Sequence, residues 1–199
     1  MTDTVDTNAH HHEDDGSKVI FGFWIFILTS FISFATLFAT YAVLHNNTYG
    51  GIGAQDVLRR LSYALLQSLI FLSSSFTLGL AIIAYKKGLS DKVKLWMTVT
   101  FLIGLLFIGL EFREFARLVH DGNTWQNSAF LSSFFTLVGF HSVNVIVGLL
   151  WMIVLMIQFS MKGFTATMQI RFSCLGLFWD FLNIIWIFIF TIVYLMGAI

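Results

Sequence analysis

AFLSSFFTLVGFHSVNVIVGLLWMIVLMIQF, residues 129–159, holds no Asp, Glu, Lys or Arg. The hydrocarbon core of a bilayer is about 30 Å thick and takes about 20 helical residues to cross, so this run predicts a transmembrane helix. Four similar runs accompany it, at Val19–Leu44, Leu61–Tyr85, Leu95–Leu118 and Phe172–Ala198. Polar segments separate them: His45–Arg60 with Gly50, Gly51 and Gly53, then Lys86–Lys94, His120–Ser128 and Ser160–Arg171. Composition agrees. The chain is 57% apolar and 11% charged, with mean hydropathy +0.82, whereas a water-facing surface needs roughly 25% charged residues. No run alternates as the strand of a membrane barrel would. The fold expected is therefore an all-α membrane protein, a bundle of five transmembrane helices in one membrane domain, residues 18–199. Proline is absent, so kinks would have to come from glycine or from clusters such as Ser73–Ser75. No internal repeat is visible, which disfavours an inverted-repeat transporter.

The ends and loops add orientation. No apolar core precedes a cleavage site near the N-terminus, so the first apolar run is expected to remain in the mature protein. Residues 1–17 are polar and acidic and predict a disordered cytoplasmic tail. Its His10–His12 run lacks the spacing and supporting partners of a metal site. Lys18, Lys86, Lys87, Lys92, Lys94, Lys162 and Arg171 fall on one side of a five-span chain, and Arg59, Arg60, Arg113 and Arg117 on the other. The positive-inside rule then places the N-terminus in the cytoplasm and Ile199 outside. A net charge of zero leaves no basic excess for nucleic acid. Cys174 is the single cysteine. It rules out an internal disulfide or a multi-cysteine metal site, and reads as a small buried residue.

Polar groups inside the spans need a reason, since a charge at the bilayer centre costs about 2.5–3.5 kcal/mol on insertion scales. Three runs carry a polar pair at i, i+3: Glu111 and Glu114, His141 and Asn144, Asp180 and Asn183. Gln67 is a further polar residue in the second. Gly104, Gly148 and Gly176 lie at helical spacing from these pairs. Small residues let helices approach, and hydrogen bonds between helices then satisfy the polar groups. The expectation is three helices packed along a polar seam. A proton path or a lipid-headgroup site is the other reading of these residues. By depth, Asp180 is expected to meet His141 or Asn144, with Arg117 pairing locally to Glu114. The ionisable groups form no continuous chain across the membrane, which disfavours a stand-alone proton channel. His141 is the only histidine inside a span, so haem ligation is not expected, nor is a thiolate copper site on Cys174 alone. Neither a Ser/His/Asp grouping nor a glycine-rich phosphate loop is present. Tyr49, Trp125, Tyr85 and Trp96 fit an interfacial aromatic belt.

Several motifs, in order, resemble one family. FGFWIF at 21–26, LFATYAVL at 37–44, FIGLEFREF at 107–115, FFTLVGFH at 134–141, VGLLWM at 147–152 and FTIVYLMGA at 190–198 resemble subunit III of haem–copper respiratory oxidases. The closest form is the five-helix one of bacterial cytochrome bo-type ubiquinol oxidases. The resemblance implies a non-catalytic subunit of an oxygen-reducing, proton-pumping complex in the bacterial inner membrane. It would carry no cofactor, with haem and copper in the partner subunit I, and would sit beside subunits II and IV. It also implies phospholipid in a cleft between the first two and last three helices. Against the family pattern, Gln67 stands where a second-helix glutamate is usual. Asn144 replaces the second histidine of a His-x-x-His pair, and Asp180 and Asn183 replace His-x-x-Asp. The faces Ala35/Ala39 and Ser75/Gly79 suit close packing against subunit I. The alternatives from other classes are a small-solute or ion transporter and a lipid-binding membrane assembly protein.

Overall fold

The computed structural model describes residues 3–48 and 61–195, with side chains of the first helix from Ser17 onward. Among the described residues every regular element is helical: α1 Asp3–Leu44, α2 Leu61–Lys86, α3 Ser90–His120, α4 Ala129–Lys162 and α5 Ala166–Ile189. A π-helical stretch, Phe190–Leu195, continues α5. Five helices are long and apolar enough to cross a membrane: Ser17–Leu44, the whole of α2, α3 and α4, and Ala166–Leu195. The backbone of α1 starts at Asp3, upstream of the expected start. The side chains of the predicted tail, with His10–His12, lie outside the described residues, as do Tyr49, Gly50, Gly51, Gly53, Arg59, Arg60 and Ile199.

The helices α3, α4 and α5 begin or end several residues beyond the apolar runs, because helical hydrogen bonding continues into the headgroup region, where polar side chains are solvated. Local chemistry then sets the ends. The Ser128 hydroxyl accepts from the Leu131 amide at 3.1 Å and the Thr165 hydroxyl from the Met168 amide at 3.3 Å, each satisfying a free donor of a first turn. Gly163 stops α4 at φ 64, a left-handed conformation that an L side chain resists. The π stretch widens the end of α5 without proline and away from Ser73–Ser75, where α2 continues unbroken.

The short turn between α2 and α3 makes them antiparallel neighbours with the most extensive contact in the bundle. Helix α5 packs against α4, α2 and α1; α1 packs on α4 and α5, and α4 on α3. Over its most apolar stretch α5 is 56% buried and α1 only 11%, so α5 is the core helix and α1 a flank. This corrects the expected division. The bundle does not part between α2 and α3, since the α2–α3 pair crosses that line. Among the described residues, of the helices consecutive in the chain, only α1 and α2 lack a substantial contact.

Candidate functional site

The interior is built in levels around α5. At mid-span, Trp179 is fully buried, and its indole nitrogen donates to Ser74 Oγ on α2 at 2.9 Å. Its ring occupies the space left by two glycines. A Cβ on Gly104 of α3 would lie 3.1 Å from Trp179 Cη2 and 2.8 Å from Leu149 Cδ2, and one on Gly148 of α4 would lie 3.0 Å from Trp179 Cζ3. The expected close approach of helices at these glycines is thus an approach of one indole to two backbones. Gly176 likewise receives Ile82 of α2, whose Cδ1 would lie 2.9 Å from a Cβ. Thr77 and Thr100 join α2 to α3 beside them at 2.8 Å.

His141 of α4 sits at the next level, completely buried. Phe71 and Phe107, stacked at 4.3 Å, meet its ring edge-on at 5.7 and 6.0 Å, and Trp186 lies at 5.2 Å. Its Nε2 donates to the Leu182 carbonyl at 3.1 Å, since a carbonyl can only accept. Nδ1 has no partner among the described residues.

One turn beyond, Gln67 precedes Phe71 by four and Glu111 follows Phe107 by four. On antiparallel helices this brings them to the same level. Both are buried. Glu111 Oε2 accepts from the Ser142 hydroxyl of α4. Glu111 Oε1 and both amide atoms of Gln67 lack partners among the described residues. Trp186 closes this level, its indole nitrogen donating to Ser68 Oγ at 3.0 Å and its ring lying 6.3 Å from that of Tyr194. Glu114 is more exposed and pairs with Arg117 on its own helix, as their spacing implies.

The single polar seam is not formed. Residues at i and i+3 differ by about 60° around a helix, enough to turn one member of each pair out of a narrow interface. Glu111, His141 and Asn183 are buried, while Glu114 and Asn144 are partly buried and Asp180 is exposed. Asp180 meets neither His141 nor Asn144. It accepts from the Ser75 hydroxyl of α2, because the neighbouring Trp179 takes the direction toward α3 and α4. Asn144 and Asn183 donate back to Phe140 and Trp179 carbonyls on their own helices, at 2.8 and 3.0 Å. Tyr85, at the end of α2, packs inward. Its ring is buried against Phe159, Phe164 and Phe172, and its hydroxyl donates to the Thr165 carbonyl at 2.8 Å, clasping the α4–α5 turn. Trp125 is exposed as expected and Cys174 buried.

Sequence reasoning missed Ser68, Ser142 and the two tryptophans, and it read Ser74 and Ser75 only as a kink or a packing face, not as the partners of Trp179 and Asp180. Trp179 and Trp186 did carry a signal. They stand seven apart in mid-span, whereas tryptophan favours the membrane interface. Among the described residues no group of three or more His, Cys, Asp or Glu gathers to hold a metal.

Comparison with known proteins identifies relatives along nearly the whole chain. The cytochrome c oxidase subunit III family matches residues 3–198. Subunit 3 of the cytochrome bo(3) ubiquinol oxidase of Pseudomonas aeruginosa is 49% identical over 189 residues, 95% of this chain and 90% of that protein. Quinol oxidase subunit 3 of Bacillus subtilis is 39% identical over 187 residues, 94% and 91% of the two chains. Cytochrome c oxidase subunit 3 of Bacillus sp. strain PS3 is 39% identical over 185 residues, 93% and 89%. With its motifs in order, five spans and a match along nearly its whole length, this chain belongs to the cytochrome c oxidase subunit III family.

Proposed function

We propose that the chain is the non-catalytic third subunit of a terminal quinol oxidase in a bacterial inner membrane, with its N-terminus in the cytoplasm. It steadies the haem- and copper-bearing subunit I and shares the complex with subunits II and IV. The quinol reading rests on the relative at 49% identity, named as a ubiquinol oxidase subunit.

The observation that carries the non-catalytic part is the setting of His141. Its Nε2 donates to Leu182 O, which leaves Nδ1 without a partner among the described residues, but its ring is enclosed by Phe34, Phe71, Phe107 and Trp186. An axial haem ligand needs its free ring nitrogen to face an open plane, and these aromatic rings fill that space. The interior polar groups instead tie α2, α3, α4 and α5 together, the work of a scaffold.

Phospholipid has a suitable recess elsewhere than in the cleft first expected. A cavity of about 250 Å³ lies between α1 and α5, lined by Phe31, Phe34, Ala35, Phe38, Ile185, Phe188 and Ile192. Its apolar walls suit an acyl chain.

The test is to prepare the oxidase with and without this chain. The reading expects unchanged haem and copper spectra in both, with the depleted enzyme losing activity faster during turnover. Loss of a haem band with the chain, or an identical lifetime of activity without it, would contradict the reading.

A further inference from the structure

Asp180, unlike the buried polar groups of the interior, is an acidic side chain that faces out of the bundle at mid-span. It stands midway along the Ala166–Leu195 span, where water is absent, yet its side chain is exposed. Among the described residues it takes a single recorded hydrogen bond, from Ser75. Acyl chains offer no donor, and phospholipid headgroups lie half a bilayer away. Ser75 serves one carboxyl oxygen, and an acidic side chain that is still exposed at this depth calls for a further polar partner, which the chain's own described residues do not supply.

The surroundings form a groove. Helix α5 packs against both α1 and α2, while α1 and α2 make no substantial contact, so α5 is a floor between two walls. The ring of Phe178 meets Phe26 on the α1 side, and Gly176 meets Ile82 on the α2 side. Between these flanks Asp180 and Ile184 are exposed. On the α2 wall, a Cβ on Gly79 would meet nothing within 4 Å. Packing inside the chain therefore does not need a glycine there, whereas an approaching helix backbone does benefit from one. The acyl-chain recess begins at Ile185 and runs toward Ile192 along the α1 wall, leaving the Asp180–Gly79 region clear.

We infer that this groove receives a transmembrane helix of a partner subunit, packed over Gly79, with a hydrogen-bond-donating side chain, cationic or neutral, held against Asp180 at mid-membrane depth. The inference rests on the reading of the chain as a complex subunit and names the part of its surface that is covered. It commits to a protein occupant because the exposed carboxyl group needs a donor at a depth that lipid cannot supply.

The experiment uses the intact complex purified from native membranes. A photoreactive benzophenone amino acid replaces Ile184, and the complex is irradiated in the membrane before extraction. A cross-link to a membrane-spanning peptide of a partner subunit is expected, with a Lys, Arg, His, Asn, Gln, Ser, Thr, Trp or Tyr within one helical turn of the attachment. In parallel, Asp180→Leu should leave the haem spectrum unchanged. It should speed loss of the subunit during detergent washing by roughly three- to twenty-fold, the range that measured membrane hydrogen bonds give. An intact haem-bearing complex whose label lands on lipid, or on nothing, overturns this inference alone. Wild-type retention of Asp180→Leu does the same. A chain that leaves the membrane without haem-bearing subunits overturns the complex reading and this inference together.

Discussion

Trp179→Ala is expected to destabilise the subunit by about 3–5 kcal/mol, the cost of removing a large aromatic side chain from a packed core. Between membrane helices there is little hydrophobic drive, because lipid is as apolar as the core, so contact and hydrogen bonding carry most of the association. Trp179 concentrates both. It is fully buried, lies 5.7 Å from the Phe71 ring, fills the recesses over Gly104 and Gly148 and donates to Ser74. Truncation opens a cavity where α2, α3, α4 and α5 meet and removes the Ser74 bond. Reversible unfolding in mixed micelles, followed by near-UV dichroism, measures the loss. Trp179→Phe should cost clearly less, since a ring remains. A Trp179→Ala protein within about 0.5 kcal/mol of wild type, the range of an ordinary surface substitution, would mean that the indole is not the keystone described.

The second large effect is the converse, overfilling the same space. A Cβ on Gly148 would already lie 3.0 and 3.2 Å from Trp179 and 3.3 Å from Phe178, and both neighbours are rigid rings. Gly148→Val adds two further methyl groups there and should cost about 1–3 kcal/mol by overpacking. The effect should shrink in a Trp179→Phe background, where the smaller ring leaves room. Groups in contact are expected to show such non-additivity. The same micellar unfolding assay on the two single variants and the double variant decides it. Strictly additive losses would show that Gly148 and Trp179 do not share one space.

The five spans were legible because length and continuous apolarity are written directly in residues such as 129–159. The Glu114–Arg117 pair was legible because both members sit on one helix, three residues apart. What was not legible depends on which helix lies beside which. In a soluble helix the polar face marks the outside, and periodicity then assigns the neighbours. In these spans lipid-facing and core-facing residues are equally apolar, so Phe76, exposed, and Phe71, buried, look alike in sequence. That is why the sequence points Asp180 toward His141 or Asn144 although it bonds Ser75. Gly104 and Gly148 were recognised as sites of close approach, but what approaches them, the Trp179 ring, follows only from the fold. Serines such as Ser142 carry no mark at all. On a helix they usually bond back to their own backbone, and Ser142 does so to Val138 while also serving Glu111.

The central claim, that this chain is a redox-silent subunit of an oxygen-reducing complex, is tested most directly by affinity purification through a tag on this chain, in mild detergent, with an absorption spectrum and metal analysis of the product. The account predicts a complex that contains haem and copper, co-eluting with larger membrane subunits. It also predicts that the chain separated from them, still helical by dichroism, has no Soret band and no stoichiometric copper. A chain that elutes alone from native membranes, or one that keeps haem or copper after separation, would contradict it.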